Sequence, residues 1–260
     1  MNKKLLSLLL VLVSIFCCSE LSAQVKKKAP VKKVATKGKT KATVVKKAAS
    51  VPEPKLPVEK FTRVKISTDF GDMVVKLYNK TPQHRDNFIK LVSEHFYDSL
   101  LFHRVISNFM IQGGDPNSKY AQPGVMLGNG DVGYKVPAEF DSTLVHKKGA
   151  LCAARDGNPE KASSGCQFYI VQGKPVSEPE LDNISMRNGF KYSSAQRMTY
   201  KMNGGTPFLD NNYTVFGEVE TGMEVVDKIA AVQKGAADRP VQDVRMKMEI
   251  IPADEKAGKK

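Results

Sequence analysis

Short runs in which apolar and polar residues alternate with a period of two recur from Thr62 to Ile251, each stopped by glycine, proline, asparagine or aspartate. A period of two puts successive side chains on opposite faces of an extended backbone, so these runs read as half-buried strands joined by turns. Thr62 to Thr68 and Met73 to Tyr78 flank Asp69-Phe70-Gly71-Asp72 as a hairpin, and Leu101 to Gln112, Gly149 to Arg155, Gly165 to Val171, the residues ending at Gly217, and Asp243 to Ile251 supply further strands. Helical spacing is rarer. Thr81 suits an N-cap and Pro82 the first helical position, with Phe88, Ile89, Val92 and Phe96 as the apolar stripe, and Met223 to Val232 forms a second striped helix. Many strands with one helix near each end predict an all-β fold, a closed antiparallel β-barrel with its ends capped.

Residues 174–206 interrupt this pattern. Ser177 to Glu180 resembles a capping box with Pro179 inside it, Gly189 ends that helix, and Ser193 to Gln196 opens another that stops at Gly204-Gly205. Two short polar helices therefore form an insertion among strands.

Within Leu101 to Asp115 the alternation places Phe102, Arg104 and Ile106 on one face and Leu101, His103 and Val105 on the other. A guanidinium cannot shed its proton and is costly to bury unpaired, so Arg104 either lines a groove where its donors reach a partner or is a strand arginine in solvent, as Arg63 could equally be. The pattern alone leaves both readings open. Gly113-Gly114-Asp115-Pro116 then breaks the strand, and Gly124, Gly128, Gly130 and Gly133 mark an irregular excursion. These glycines do not form a phosphate cradle, because no helix start follows them to present its amides. His84 and His95 lack carboxylate or cysteine partners at ligand spacing and read as surface residues, and no metal-binding set is predicted.

Charge separates the chain into parts. Residues 24–60 carry 12 lysines against Glu53 and Glu59, a balance of +10 out of the formal +13, so the basic character belongs to a tail and the folded body demands no polyanion. That segment has no aromatic residue and too little bulky apolar surface to offset the entropy of ordering, so it reads as a disordered linker. Ahead of it, Lys3 and Lys4 precede an apolar run from Leu5 to Cys18, and Leu21-Ser22-Ala23 offers a small-residue cleavage site, which predicts a signal peptide over 1–23 and an exported, periplasmic protein. Phe16 before Cys17 disfavours the alternative of an envelope-anchored lipoprotein. Export argues against specific nucleic acid as a partner and leaves a loose contact of the lysines with an anionic envelope surface. Cys152 and Cys166 sit in apolar strands and are expected as unpaired thiols; no neighbour lowers the Cys166 pKa, so a cysteine hydrolase is disfavoured. Residues 254–260 read as a flexible tail.

Three separated segments, F-H-R-V-I with F-M-I-Q-G-G-D, then S-G-C-Q-F-Y-I, then F-L-D-N-N-Y-T-V-F-G-E-V, resemble in that order the signature segments of the cyclophilin-type peptidyl-prolyl cis-trans isomerases, over about residues 61–253. The resemblance implies a closed eight-stranded antiparallel β-barrel capped by two α-helices, with no cofactor and no metal, acting as a monomer on proline-containing polypeptide clients. It places the catalytic arginine on Arg104, the apolar proline pocket on Phe109, Met110, Tyr169 and Leu209, and contacts to the substrate backbone on Gln112, Ala154 and Gln167. Phe208 and Tyr213 complete the binding set, standing where many members carry tryptophan and histidine; Tyr169 replaces a common phenylalanine and Arg155 an asparagine. Without that tryptophan, tight binding of cyclosporin is not implied. On this reading His103 is structural, and the 174–206 insertion, which ends directly before Phe208 and Leu209, sits beside the groove. The competing reading is a non-catalytic module or scaffold that holds proline-containing segments in the same groove.

Overall fold

The computed structural model describes residues 60–252. The expected signal peptide, nearly all of the lysine-rich linker and the C-terminal tail lie outside the described residues. The chain opens with the predicted hairpin. β1 (Arg63–Thr68) pairs antiparallel with β2 (Gly71–Leu77), with Asp69 and Phe70 as the two-residue turn. Val64 and Ile66, then Met73, Val75 and Leu77, are fully buried while their neighbours are not, which is the period of two read from the sequence.

Eight strands form one antiparallel sheet. β3 (Phe102–Ile106) and β4 (Met110–Gly113) make the next hairpin, followed by β6 (Ala150–Ala153), β8 (Phe168–Val171), β9 (Val215–Thr221) and β10 (Lys247–Ile251), in the order β10-β1-β2-β9-β6-β8-β4-β3. β5 (Lys135–Val136) and β7 (Ser163–Ser164) form a separate small ladder.

The closed barrel expected from the sequence is not formed; the sheet is a half-barrel whose edge strands, β3 and β10, share no ladder. Val244 and Met246, expected inside the last strand, instead exchange backbone hydrogen bonds with Ser99, Leu100 and Phe102, leaving a lone bridge between Leu101 and Arg245. The physical reason is local. Ser99 has φ 69°, a left-handed backbone that ends the extended run before a ladder can propagate.

The four α-helices among the described residues are the two expected beside the sheet and the two expected in the insertion. α1 (Pro82–Ser93) packs against β9 and β10, and α4 (Met223–Ala230) against β2, β3 and β4. Between them α2 (Glu178–Asn188) and α3 (Ser194–Asn203) form the predicted insertion. Their boundaries follow the cap signals: Ser177 Oγ accepts from Glu180 N, Gly189 takes the left-handed C-cap, and Ser193 with Gln196 closes a full capping box.

α1 corrects three expectations. It ends at Ser93, so Phe96 belongs to the following turn. Thr81 holds the N-cap position, but its hydroxyl is buried without a partner; the Glu139 carboxylate accepts from the amides of Gln83 (3.1 Å) and His84 (2.9 Å) in its place. His84, expected at the surface, is 3% exposed, with Nδ1 2.7 Å from Glu139 Oε2 and Nε2 2.9 Å from Ser163 Oγ. The partners are distant in sequence, so spacing could not reveal them.

The main core lies between α1, α4 and the inner sheet face. Phe88 packs tilted on Tyr97 at 5.2 Å and edge-on to Phe168 at 5.7 Å, and Phe168 meets Tyr97 edge-on at 5.6 Å. Each such ring removed from water contributes about 1.5–3 kcal/mol. On the outside of the sheet, Glu218 of β9 lies opposite Lys76 of β2 and pairs with Lys76 and Lys147. Burial pushes its carboxyl up, but the two ammonium groups outweigh this and hold its pKa at about 2. Because the folded pKa is depressed, the contribution is present above the ordinary value of 4.5 and is lost as pH falls toward 2. Glu218→Gln is therefore expected to cost about 1–2 kcal/mol at pH 7 and almost nothing near pH 2, measured by denaturant unfolding across that range.

Candidate functional site

The β3–β4 hairpin carries the arginine. A register shift between Phe102 and Arg104 breaks the strict alternation expected there, so that Phe102 and Val105 both enter the main core while Arg104 and Ile106 face the other side. Arg104 lies directly across from Gln112 in the ladder.

A chain of amides holds the guanidinium. Gln167 Nε2 donates to the carbonyls of Gly128 (2.9 Å) and Gly130 (2.8 Å), which leaves its Oε1 to accept from Gln112 Nε2 at 3.1 Å, and Gln112 Oε1 then accepts from Arg104 Nη1 at 3.3 Å. The two glycine carbonyls thereby fix the orientation of both amides. Arg104 Nε also lies 3.7 Å from Asp238 Oδ2. The arginine used as a comparison in the sequence behaves differently: Arg63 forks onto Glu220 through two hydrogen bonds. Arg104, with 41% of its side chain exposed and no such fork, keeps donors free for another molecule.

These donors face a concave space. An open cavity of about 270 Å³ is lined by eight of the ten residues singled out in the sequence: Arg104, Phe109, Met110, Gln112, Ala154, Tyr169, Leu209 and Tyr213. Gln167 stands behind them, lining an adjoining polar cavity that shares Gln112 and Ala154. Phe208 lies outside the lining; it is 48% exposed and packs on Phe109 with ring centroids 5.7 Å apart. Met110, Tyr169 and Leu209 belong to a second apolar cluster on the sheet's other face, built with Cys152 and Val171, so the cavity floor is rigid.

Sequence reasoning missed other lining residues. Leu127, Gly128 and Asn129 come from the irregular excursion, which carries no period and could be placed only by its tethers: Asp115 accepts from the amides of Asn117 and Gly128, and Arg239 donates to the carbonyls of Gln122 and Val125. Arg155 stacks its guanidinium over Tyr213 at 4.6 Å and donates to Asn212 O at 2.8 Å. His103, read as structural, also lines the cavity. Burial lowers its pKa to about 4, so the ring is neutral at pH 7.

No nucleophile stands in this wall. Cys152 and Cys166 are free and buried, and burial pushes Cys166 up to about 11 and Cys152 well above the ordinary thiol value. Both remain thiols at neutral pH. What the site offers is a fixed positive donor beside a small apolar slot with amide groups along one side.

The family model described as cyclophilin type peptidyl-prolyl cis-trans isomerase/CLD matches residues 63–249. A Staphylococcus haemolyticus protein named as a peptidyl-prolyl cis-trans isomerase is 37% identical over 183 residues, covering 70% of this chain and 87% of that protein. A Streptococcus pyogenes protein named as a bifunctional phosphatase/peptidyl-prolyl cis-trans isomerase is 39% identical over 198 residues, 74% of this chain; the chain spans only 39% of that relative's length. Among solved structures, a Cryptosporidium parvum cyclophilin type isomerase superposes with a TM-score of 0.54 at 22% identity, covering 74% of this chain and 98% of that one. The same protein crystallised in the presence of the dipeptide Ala-Pro gives 0.53 at 21% identity. These last two are similar in fold.

Proposed function

The chain belongs to the cyclophilin-type peptidyl-prolyl cis-trans isomerases, and on that footing we propose that it accelerates rotation about X-Pro bonds in exported or envelope proteins by hydrogen bonding from Arg104 to the twisted amide. The observation that carries this reading is the guanidinium held by Gln112 beside the slot of Phe109, Met110 and Leu209.

Rotation about an X-Pro bond faces a barrier of roughly 18–20 kcal/mol, because resonance gives the C–N bond double-bond character. At the crest the amide is twisted and the proline nitrogen has regained its lone pair. Phe109, Met110 and Leu209 grip the pyrrolidine ring by apolar contact, while Gln112, braced from behind by Gln167, and the wall at Ala154 fix the chain on one side of the bond. Arg104 donates to the pyramidal nitrogen, an interaction absent from the planar ground state, so it favours the crest selectively. The family resemblance to a protein crystallised with Ala-Pro supports proline-containing peptides as the ligand class.

Uncatalysed isomerisation takes tens to hundreds of seconds, slow enough to limit the folding of secreted clients. The signal-like segment over 1–23 supports an exported site of action, with residues 24–60 as a tether to the isomerase domain. Exchange spectroscopy on an Ala-X-Pro peptide tests the activity: cis and trans resonances exchange rapidly with catalytic amounts of the chain, and unchanged exchange overturns the reading. A chain beginning at Phe61 is expected to turn over peptide within about twofold of the full chain, since the whole lining lies between His103 and Tyr213; a larger loss in the same assay would give the leading segment a part in catalysis.

A further inference from the structure

The insertion ends in a buried polar network that reaches the pocket. Asp210 follows Leu209 directly and is 1% exposed, yet both of its carboxylate oxygens are satisfied. Oδ2 accepts from the Tyr200 hydroxyl at 2.6 Å and faces the Tyr192 hydroxyl at 3.0 Å, which also reaches Pro207 O at 3.0 Å. Oδ1 accepts from the His146 amide at 2.9 Å and lies 2.7 Å from its Nδ1. A carboxylate facing Nδ1 places the ring proton there, so in neutral His146 Nε2 is the acceptor and Tyr169 OH, 3.0 Å away, is its donor. The His146 and Tyr169 rings lie nearly parallel, 14° apart at 6.2 Å, and Tyr169 meets Tyr213 edge-on at 6.0 Å. Two insertion tyrosines are thus joined through one carboxylate and one imidazole to the cavity wall.

The neck of the insertion ties down the same segment. Lys148 N donates to Gly204 O at 2.9 Å and Thr206 N to His146 O at 2.8 Å. The tyrosines themselves sit in a separate apolar cluster with Leu181, Ile184 and Phe190, so the hydroxyls are aimed from a packed base.

Resting on the isomerase reading of the cavity, we propose that the 174–206 insertion is a positioning device for the proline pocket: Tyr200 and Tyr192 hold Asp210, which sets Leu209 beside it and, through His146, the ring and hydroxyl of Tyr169. The insertion thereby acts on how tightly proline is gripped and leaves the arginine's chemistry alone. Tyr200 and Tyr192 do not touch the cavity; their role passes through Asp210.

A double-mutant cycle on the full chain tests this, using Tyr200→Phe, Tyr169→Phe and the pair. Two quantities are read: the Kd of an Ala-X-Pro peptide from NMR titration, and kcat from exchange spectroscopy. Tyr200→Phe is expected to raise Kd about threefold or more with kcat within about twofold, and to lose most of that effect when Tyr169 is already phenylalanine, because groups in one network couple. Equal Kd effects in both backgrounds, or a lowered Tm with Kd unchanged, overturn the proposal. If Tyr200→Phe fails to fold, Tyr192→Phe, whose hydroxyl has Pro207 O as a second acceptor, takes its place in the cycle. Absence of turnover by the parent chain defeats the isomerase reading instead, and the Kd cycle still decides whether the insertion positions the pocket.

Discussion

Arg104→Ala is expected to lower kcat/KM on an X-Pro peptide by about 100- to 1000-fold, the range seen when one donor aimed at a developing lone pair or oxyanion is removed. Most of the loss should fall on kcat. The apolar grip of Met110, Phe109 and Leu209 is untouched by the substitution, so peptide affinity changes little, whereas the hydrogen bond made only to the twisted amide disappears. Stability should hardly move. Arg104 is part-exposed, its Gln112 contact is 3.3 Å and its Asp238 contact 3.7 Å, and Gln112 keeps its bond to Gln167. Arg104→Lys should recover little of the activity, because an ammonium supplies charge without the planar fork that Gln112 orients. Exchange spectroscopy with a parallel thermal melt checks each claim. Parent-like turnover by Arg104→Ala would remove the arginine from the mechanism and favour the reading of a groove that holds proline segments without turning them over.

Those expectations draw on positions that were legible to different degrees. The insertion helices could be read because their determinants are local: Ser177, Gly189, Ser193 and Gln196 act within one turn of the backbone they cap. The β1–β2 hairpin was legible for the same reason. Arg104 was not, since a strand arginine with free donors and one paired in solvent share the same pattern; only the resemblance of the flanking segments, and then the Gln112–Gln167–Gly128 chain, separated it from Arg63. His84 was misread because Glu139 and Ser163 reach it from 55 and 79 residues away. Many strands with one helix near each end suggest a closed barrel, and alternation from Asp243 onward suggests one long last strand, while a left-handed Ser99 opposite it prevents the closing ladder. Asp210 carries no local signal as a polar loop residue, although its carboxylate gathers two tyrosine hydroxyls and an imidazole. Its burial depends on the insertion's fold, which no short window of sequence contains.

At the neck of that insertion a large loss of stability is expected from the addition of one methyl group. Gly205 has φ 153°, a conformation that side-chain-bearing residues rarely adopt, and a Cβ there would stand 2.3 Å from His146 O, 2.6 Å from a Tyr200 ring carbon and 2.9 Å from Lys147 Cα. Two of those three neighbours are backbone in the segment that Thr206 and Lys148 stitch to the neck, and the third belongs to the tyrosine that holds Asp210. None can withdraw without breaking a buried bond. Backbone strain of about 1–3 kcal/mol adds to the clash, so Gly205→Ala is expected to cost about 3 kcal/mol or more and to lower Tm by about 6 °C or more for a domain of this size. Gly189→Ala is the control. That C-cap is left-handed at φ 64°, but nothing lies within 4 Å of the added atom, so only the conformational penalty of about 1–2 kcal/mol applies. A thermal melt of both variants separates steric from conformational cost. If they fall equally, the neck yields freely, and an insertion that yields at its neck could not hold Asp210 against the pocket. If Gly205→Ala alone falls steeply, the neck is the rigid joint that transmission from Tyr200 to Tyr169 requires.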